Sequence, residues 1–253
     1  MKAIFVTDLH GNKLLYDKLF DTAIREEVDA IIFGGDLCPH FSDIKVGIPM
    51  QRKFLITLME KISKLDKEVF IIMGNDDFRI NMDVLYEAED EGLVKVIHKK
   101  EHKIGKHIII GYSFVNETPF LLKDWEKLDT KYSSPKNRAE ILTVPKENGT
   151  IEDDLKQFNK EGIYVFHAPP YNTNLDIIET GEHVGSKAIK KFIERVQPIL
   201  TLHGHIHESV RCGFWNQKIN KTIAINPGSS YPQPRLNYVM LNLANLELSF
   251  MIK

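Results

Sequence analysis

Three short apolar segments alternate with two amphipathic segments in the N-terminal part of the chain. The apolar segments are residues 2–6, 29–35 and 68–74, each bounded by glycine or a charged residue. Apolar side chains recur every three or four positions in residues 12–28 and 54–65, which predicts two helices. This β-α-β-α-β order predicts parallel strands joined by right-handed crossovers. Sheets of this kind bind ligands at the carboxyl ends of their strands.

The remainder of the chain continues the α/β pattern and ends in strands. The further strands and helices are predicted, in chain order, at 82–91 (helix), 106–112 (strand), 150–158 (helix), 162–167 (strand), 186–196 (helix) and 199–207 (a strand that runs into a His-rich loop). Residues 221–229 and 237–252 largely alternate in a period of two, which predicts antiparallel strands and a final hairpin that turns near Asn245. The sequence therefore predicts an α/β fold with two β-rich layers covered by helices.

Residues 116–149 do not fit this alternation. They contain Trp125, three prolines and many charged residues, with no sustained period. A loop of this length within a compact domain is often functional. We therefore expect one domain over residues 1–253, with residues 116–149 as an insertion or lid within it.

The composition excludes several classes of protein. Of the 253 residues, 43 % are hydrophobic and 27 % are charged, and the formal net charge is −2, which argues against a nucleic-acid partner because such proteins present a basic face. The two cysteines, Cys38 and Cys212, form no Cys-x-x-Cys pair, so neither a disulfide framework nor a zinc finger is indicated. The N-terminus turns polar after Ala3–Val6 and no apolar run reaches membrane-spanning length. We expect a cytoplasmic protein without a membrane partner, and the sequence leaves its oligomeric state open.

Polar residues of one chemical kind follow five of the predicted strands. They are Asp8, His10, Asp36, Asn75, His167, His205 and His207. Taken singly, an aspartate after a strand is more often a helix cap, and a buried histidine is more often simply hydrogen-bonded. Seven such residues at one edge of a predicted sheet instead favour a shared binding site.

These side chains offer carboxylate, amide and imidazole groups, which suit divalent manganese, iron, zinc or magnesium. Seven ligands exceed the four of a tetrahedral zinc site, and they suit two ions if one carboxylate bridges them. Two dications carry more positive charge than the two ionised aspartates neutralise, so the site keeps a net positive charge that attracts phosphate. Such a pair generates a nucleophile and stabilises both oxygens of an in-line displacement. The pattern therefore predicts a two-metal centre for phosphoryl chemistry.

Five short motifs resemble those of the calcineurin-like metallophosphoesterases, in the same order and across nearly the whole chain. The motifs are "DLHG" (8–11), "GGDL" (34–37), "GND" (74–76), "FHAPP" (166–170) and "GHIH" (204–207). Two further segments, "HVGS" (183–186) and "NPGS" (226–229), resemble segments that recur in bacterial and archaeal members. The resemblance implies a four-layer αββα sandwich of two mixed β-sheets flanked by helices.

The resemblance also implies a role for each of the seven residues. The first metal would be held by Asp8, His10, Asp36 and His207. The second metal would be held by Asp36, which bridges, and by Asn75, His167 and His205. The implied cofactors are two divalent ions, with manganese favoured, and the implied partner is a small phosphoester. The implied reaction is hydrolysis by in-line attack of a hydroxide that bridges the two metals.

Asp76 departs from the family pattern, in which the third motif reads Gly-Asn-His-Asp or Gly-Asn-His-Glu. The family's histidine contacts the phosphate and helps the leaving group to depart. An aspartate beside two dications is expected to stay ionised, so it repels phosphate and does not act as a general acid near neutral pH. Loss of a general acid typically costs about 10²–10⁴-fold for a poor leaving group.

Three hypotheses follow from Asp76. In the first, the protein is a slow hydrolase that prefers phosphodiesters or activated monoesters. In the second, another side chain, such as His40 or His183, replaces the missing imidazole. The third hypothesis is a non-catalytic scaffold that binds metal and partner proteins. All seven ligands are retained, which favours a metal-dependent phosphodiesterase over the scaffold.

Overall fold

The computed structural model describes residues 1–253, except for the side chains of Ser209 and Cys212. The strands are, in chain order, β1 (Lys2–Val6), β2 (Ala30–Gly34), β3 (Glu68–Ile72), β4 (Lys95–Val96), β5 (Glu101–Ile104), β6 (His107–Tyr112), β7 (Ile163–Phe166), β8 (Leu200–Leu202), β9 (Asn216–Ile219), β10 (Thr222–Ile225), β11 (Asn237–Asn242) and β12 (Glu247–Ile252). They form two six-stranded sheets with the orders β12-β11-β1-β2-β3-β4 and β5-β6-β7-β8-β10-β9.

The helices lie between the strands in sequence. They are α1 (Lys13–Arg25), α2 (Ile44–Ile62), α3 (Met82–Asp90), α4 (Ile151–Leu155) and α5 (Lys187–Val196), with short 3-10 turns at Arg79–Asn81 and Ser209–Cys212. Among the described residues, no helix combines the length and the apolar character that are needed to span a bilayer.

The alternation of side chains along each strand separates the layers. In β1, Ala3 and Phe5 pack between the two sheets, whereas Ile4 and Val6 face the helices on the outer side. In β7, Val165 likewise packs between the sheets, and the ring of Phe166 lies 5.4 Å from that of Phe192 on α5. Two mixed sheets therefore pack face to face with helices on both outer sides, which confirms the four-layer αββα prediction.

Each sheet has a parallel centre. In the first sheet β1, β2, β3 and β4 run parallel, and β11 pairs antiparallel with β1. In the second sheet β6, β7, β8 and β10 run parallel. The carboxyl ends of the parallel strands therefore form one edge in each sheet, as the β-α-β pattern predicts.

The structure corrects three details of the sequence-based prediction. In the C-terminal region β10 pairs parallel with β8 and antiparallel only with β9, so the predicted all-antiparallel tail is wrong there. Helix α2 begins at Ile44, nearly three turns before the predicted segment 54–65, because Asp43 caps it there and its first turns are mostly exposed. Helix α4 ends at Leu155 rather than at residue 158, although a capping box of Thr150 and Asp153 opens it.

Residues 116–149 divide into a buried half and a more exposed half. Lys123 is 1 % exposed, donates to the carbonyl oxygen of Thr118 (2.8 Å) and pairs with Glu126 (2.7 Å). A buried charge of this kind needs a partner, and these contacts lie within the segment itself. Asp124 attaches the first half to the body of the protein, because it accepts the backbone N–H of Arg79 (2.9 Å). Residues 131–148 are more exposed, and a lid role remains a prediction for them.

Candidate metal centre

The seven predicted side chains follow the carboxyl ends of strands in both sheets. Asp8 and His10 follow β1, while Asp36 and Asn75 follow β2 and β3. From the second sheet, one histidine follows β7 and two follow β8; these are His167, His205 and His207. The structure brings all of them to the same end of the sandwich.

Asp8, His10, Asp36 and His207 form one group of converging atoms. The Nε2 atom of His207 lies 3.2 Å from Asp8 Oδ1 and 3.4 Å from His10 Nε2. The His10 Nε2 atom in turn lies 3.8 Å from Asp36 Oδ2. This group matches the first predicted ligand set.

Asp36 also belongs to a second group with Asn75, His167 and His205. The Nε2 atom of His167 lies 3.3 Å from Asp36 Oδ2 and 3.1 Å from Asn75 Oδ1. The rings of His167 and His205 have centroids 5.4 Å apart, and the backbone N–H of His205 donates to Asp8 Oδ1 (3.0 Å). Asp36 is therefore the side chain shared by both groups.

The cluster concentrates carboxylates and imidazoles in a buried site. Asp8 and His167 are fully buried and Asp36 is 2 % exposed. Burial disfavours the imidazolium of His167, yet the Asp36 and Asp8 carboxylates outweigh it and raise its pKa to about 10. Burial and the neighbouring His167 lower the pKa of His205 to about 3, so His205 offers a free lone pair. A divalent cation would take the place of the proton on His167 and neutralise the buried carboxylates, so the cluster fits such an ion.

Outer hydrogen bonds orient the donor atoms. His167 donates from Nδ1 to the carbonyl oxygen of Gly34 (2.8 Å), which fixes the ring with Nε2 facing Asp36. The Thr7 hydroxyl donates to Asp8 Oδ2 (2.6 Å), and the Ser229 hydroxyl donates to the Asp8 carbonyl oxygen (2.6 Å). Ser229 belongs to the "NPGS" segment, so that segment supports the backbone of a candidate ligand.

Several candidate ligands have backbone φ angles in the left-handed region. The φ angles are 55° at Asp8, 43° at His10, 49° at Asp36 and 66° at His205. For residues other than glycine this region is sparsely populated and costs on the order of 1–3 kcal/mol each. The surrounding hydrogen bonds hold these conformations. Residue types alone gave no indication of them.

Asp76 lies between two imidazoles. Its Oδ2 atom lies 3.4 Å from His10 Nδ1 and 3.3 Å from His40 Nδ1. Its backbone N–H donates to Asp36 Oδ1 (2.8 Å). The hydrogen bond with Asp76 raises the pKa of His40 above its ordinary value. The carboxylate that replaces the family histidine is therefore paired with a second histidine.

The other histidine considered for this role lies elsewhere. His183 Nδ1 lies 2.7 Å from Asp176 Oδ1, and Asp176 also accepts the backbone N–H groups of Thr173 (2.9 Å) and Gly185 (3.0 Å). His183 thus belongs to the network that holds its own loop. Of the two alternatives, the structure brings only His40 to Asp76.

Asp77 holds together two of the loops that carry candidate ligands, those after β2 and β3. Its carboxylate accepts the backbone N–H groups of Leu37 (3.0 Å), Cys38 (2.8 Å) and Gly74 (2.9 Å). Burial and the Asp36 carboxylate raise the pKa of Asp77 to about 7, while the three N–H donors act in the opposite direction. Its role is to join the loop after β2 to the loop after β3.

Gln51 and Tyr231 contribute to the centre without any advance indication in the sequence. Gln51 Nε2 donates to the carbonyl oxygens of Asp76 (2.8 Å) and Pro39 (3.0 Å). The Tyr231 ring lies 4.1 Å from the His10 ring, centroid to centroid. Neither residue belongs to a recognisable motif, and both reach the centre through tertiary packing.

The comparisons with known proteins agree with this geometry. The family model for calcineurin-like phosphoesterases matches residues 1–209. An uncharacterized protein of Methanocaldococcus jannaschii is 31 % identical over 237 residues, which cover 90 % of this chain and 88 % of that protein.

Solved structures share the fold at low sequence identity. The structure of TT1561 of Thermus thermophilus has a TM-score of 0.67 at 16 % identity and covers 99 % of this chain and 97 % of its own. A structure described as a novel archaeal phosphodiesterase has a TM-score of 0.53 at 12 % identity and covers both chains completely. The family match, the curated relative and the shared fold lead to one conclusion: this chain belongs to the calcineurin-like phosphoesterase family.

Proposed function

We propose that this protein is a phosphoesterase that depends on two divalent metal ions and favours phosphodiesters or activated phosphomonoesters. The observation that carries the proposal is the position of Asp36, whose carboxylate lies within 3.8 Å of His10 and within 3.3 Å of His167. One buried carboxylate that faces two groups of ligands suits a bridge between two ions. A phosphodiesterase is also among the solved proteins with this fold.

The ligand assignment follows the two groups of atoms. Asp8, His10, Asp36 and His207 would hold the first ion, and Asp36, Asn75, His167 and His205 would hold the second. When bound, the ions supply a nucleophile at neutral pH and neutralise charge on the phosphoryl oxygens, and we favour manganese. Thr7 and the Gly34 carbonyl keep Asp8 and His167 in position for this task.

The proposal is tested with metal-depleted protein to which manganese, iron, zinc or magnesium is returned. We expect two ions per chain and metal-dependent hydrolysis of bis(p-nitrophenyl) phosphate. Metal content is measured by mass spectrometry of the dialysed protein, and turnover by the release of nitrophenolate. Two ions without turnover in any metal would favour the scaffold alternative, and the absence of bound metal would overturn the centre itself.

We further propose that His40 takes over the work of the missing family histidine. Its imidazole reaches Asp76 from the loop after β2, and its side chain is 65 % exposed, so one face is open to a substrate. Asp76 orients this imidazole through Nδ1, which leaves Nε2 free to donate a proton to a leaving oxygen. Asp76 is then a positioning residue, because it acts through His40.

Two variants test this assignment. We expect His40→Ala to lower turnover of alkyl phosphodiesters, which have poor leaving groups, about 10–100-fold more than turnover of nitrophenyl diesters. Asp76→His should restore an imidazole at the family position and make alkyl-ester turnover insensitive to His40→Ala. His183→Ala is the control, and it should leave the ratio of the two rates unchanged. An unchanged ratio in His40→Ala would refute the role of His40.

A further inference from the structure

A groove of about 420 Å³ lies between α1 and α2, beside the metal centre. Its apolar lining consists of Tyr16, Pro39, Phe41, Met50, Phe54 and Leu58. The residues from α2 follow one another at helical spacing, so a single face of that helix forms one wall. The face extends from Met50 to Lys61, which corresponds to about 16 Å of helix.

One end of the groove is built from the loops that carry the candidate ligands. Gly11 lines the groove and directly follows His10, and its backbone N–H donates to the Leu37 carbonyl oxygen (2.9 Å). Pro39 lines the groove and directly precedes His40. The residues that follow His10 and precede His40 in the chain therefore form one end of the groove, which places that end beside the metal centre.

The lining favours an alkyl chain over a nucleobase. The Tyr16 hydroxyl is already used, because it donates to the Leu37 carbonyl oxygen (2.8 Å). The Tyr16 and Phe54 rings meet edge to face, 5.5 Å apart, so they close the floor and leave no slot for a base to stack between them. The Thr57 hydroxyl of the lining is also used, because it donates to the Lys53 carbonyl oxygen (3.0 Å). Apart from the lysines at its border, the groove offers a base few hydrogen-bond partners, whereas an alkyl chain needs none.

Charge at the rim fits an anionic ester. Lys13 on α1 and Lys53 on α2 are exposed and border the groove from its two sides. Lys61 at the far end is held by Asp17 (2.5 Å). Met50 is 48 % exposed although it lies on the lining, and its flexible thioether can adapt to an apolar guest.

We propose that the groove binds an alkyl chain of the substrate, so that the substrate class is a phosphodiester carrying a lipid-like chain. This inference rests on the proposed phosphoesterase function. The chain extends from the metal centre along α2, and Lys13 and Lys53 attract its anionic head. Removal of the chain from water supplies the binding energy, and it grows with each methylene that enters the groove.

The test compares methyl, butyl and octyl p-nitrophenyl phosphates as substrates of the metal-loaded protein. We expect kcat/KM to rise along the series by at least tenfold from methyl to octyl, within a ceiling of about fourfold per buried methylene. Met50→Glu places a charge on the lining and should bring the octyl-to-methyl ratio close to one. Ile56→Glu is the matched control, because Ile56 is also exposed (45 %) on α2 but lies outside the lining.

A binding measurement separates this inference from the proposed function. Octyl phosphate is titrated calorimetrically into the wild type, Met50→Glu and Ile56→Glu, and we expect at least tenfold weaker binding in Met50→Glu alone. If no ester is hydrolysed but this difference in binding persists, the groove binds alkyl chains as inferred and the proposed phosphoesterase function is wrong. A flat chain-length series in an active enzyme would overturn the inference, as would a p-nitrophenyl thymidine phosphate preferred over the octyl ester.

Discussion

Asp36→Asn is expected to abolish nearly all turnover and to lower the metal content below two ions per chain. The substitution removes the negative charge that both groups of ligands share, and it offers an amide where Asp36 Oδ2 now lies 3.3 Å from His167 Nε2. We expect kcat/KM for bis(p-nitrophenyl) phosphate to fall by about 10³-fold or more, since even a single preorganised donor contributes about 10²–10³-fold in active sites. Kinetics and metal analysis on the same preparation measure the two effects together.

Two comparisons make the Asp36 result specific. Asp83→Asn removes an exposed carboxylate that pairs with Arg52, and it should leave activity and metal content unchanged. Asn75→Ala removes a ligand from the second group only, so it should cost less than Asp36→Asn. A milder effect of Asp36→Asn than of Asn75→Ala would contradict the bridging role.

Gly74→Ala is expected to damage the centre although it adds only one methyl group. A Cβ atom at this position would overlap the Asp36 backbone nitrogen and carboxylate, and it would lie 2.6 Å from His167 Cε1. The overlap involves backbone as well as side chains, so a rotamer change does not relieve it. We expect about 10²-fold lower kcat/KM, and about 1–3 kcal/mol lower free energy of unfolding, as for other overpacked positions.

The control for this variant is Gly181→Ala. Gly181 has open space around its Cα, but its φ is 83°. An alanine there would strain the backbone without displacing a candidate ligand. It should lower stability slightly and leave metal content intact. Wild-type metal content and turnover in Gly74→Ala would show that the loop after β3 tolerates the displacement, and that our account of the packing is wrong.

Much of the centre could be predicted because it depends on residue type and strand period. The position of Asp8, Asp36 and His167 at strand exits follows from apolar runs that end in polar residues. The close approach of Gly74 to Asp36 and His167 is different. In the sequence Gly74 only marks the end of an apolar run, whereas the structure shows that a side chain at this position would have no space.

The remaining features depend on tertiary contacts that no local pattern encodes. The pairing of His40 with Asp76 joins residues 36 positions apart. It gives Asp76, the residue that departs from the family's third motif, a partner that the sequence alone does not indicate. The parallel pairing of β10 with β8 reverses the expectation drawn from its alternating pattern, because alternation indicates a strand but not its direction.

The division of the candidate ligands between the two sheets has a mechanical consequence. Asp36 comes from the first sheet and His167 from the second, and 131 positions of chain separate them. An ion held by both would act as a cross-link between the halves of the sandwich and would oppose any sliding of one sheet over the other. Each bound ion would then also raise the free energy of unfolding, by about 2.7 kcal/mol when free metal exceeds its Kd a hundredfold.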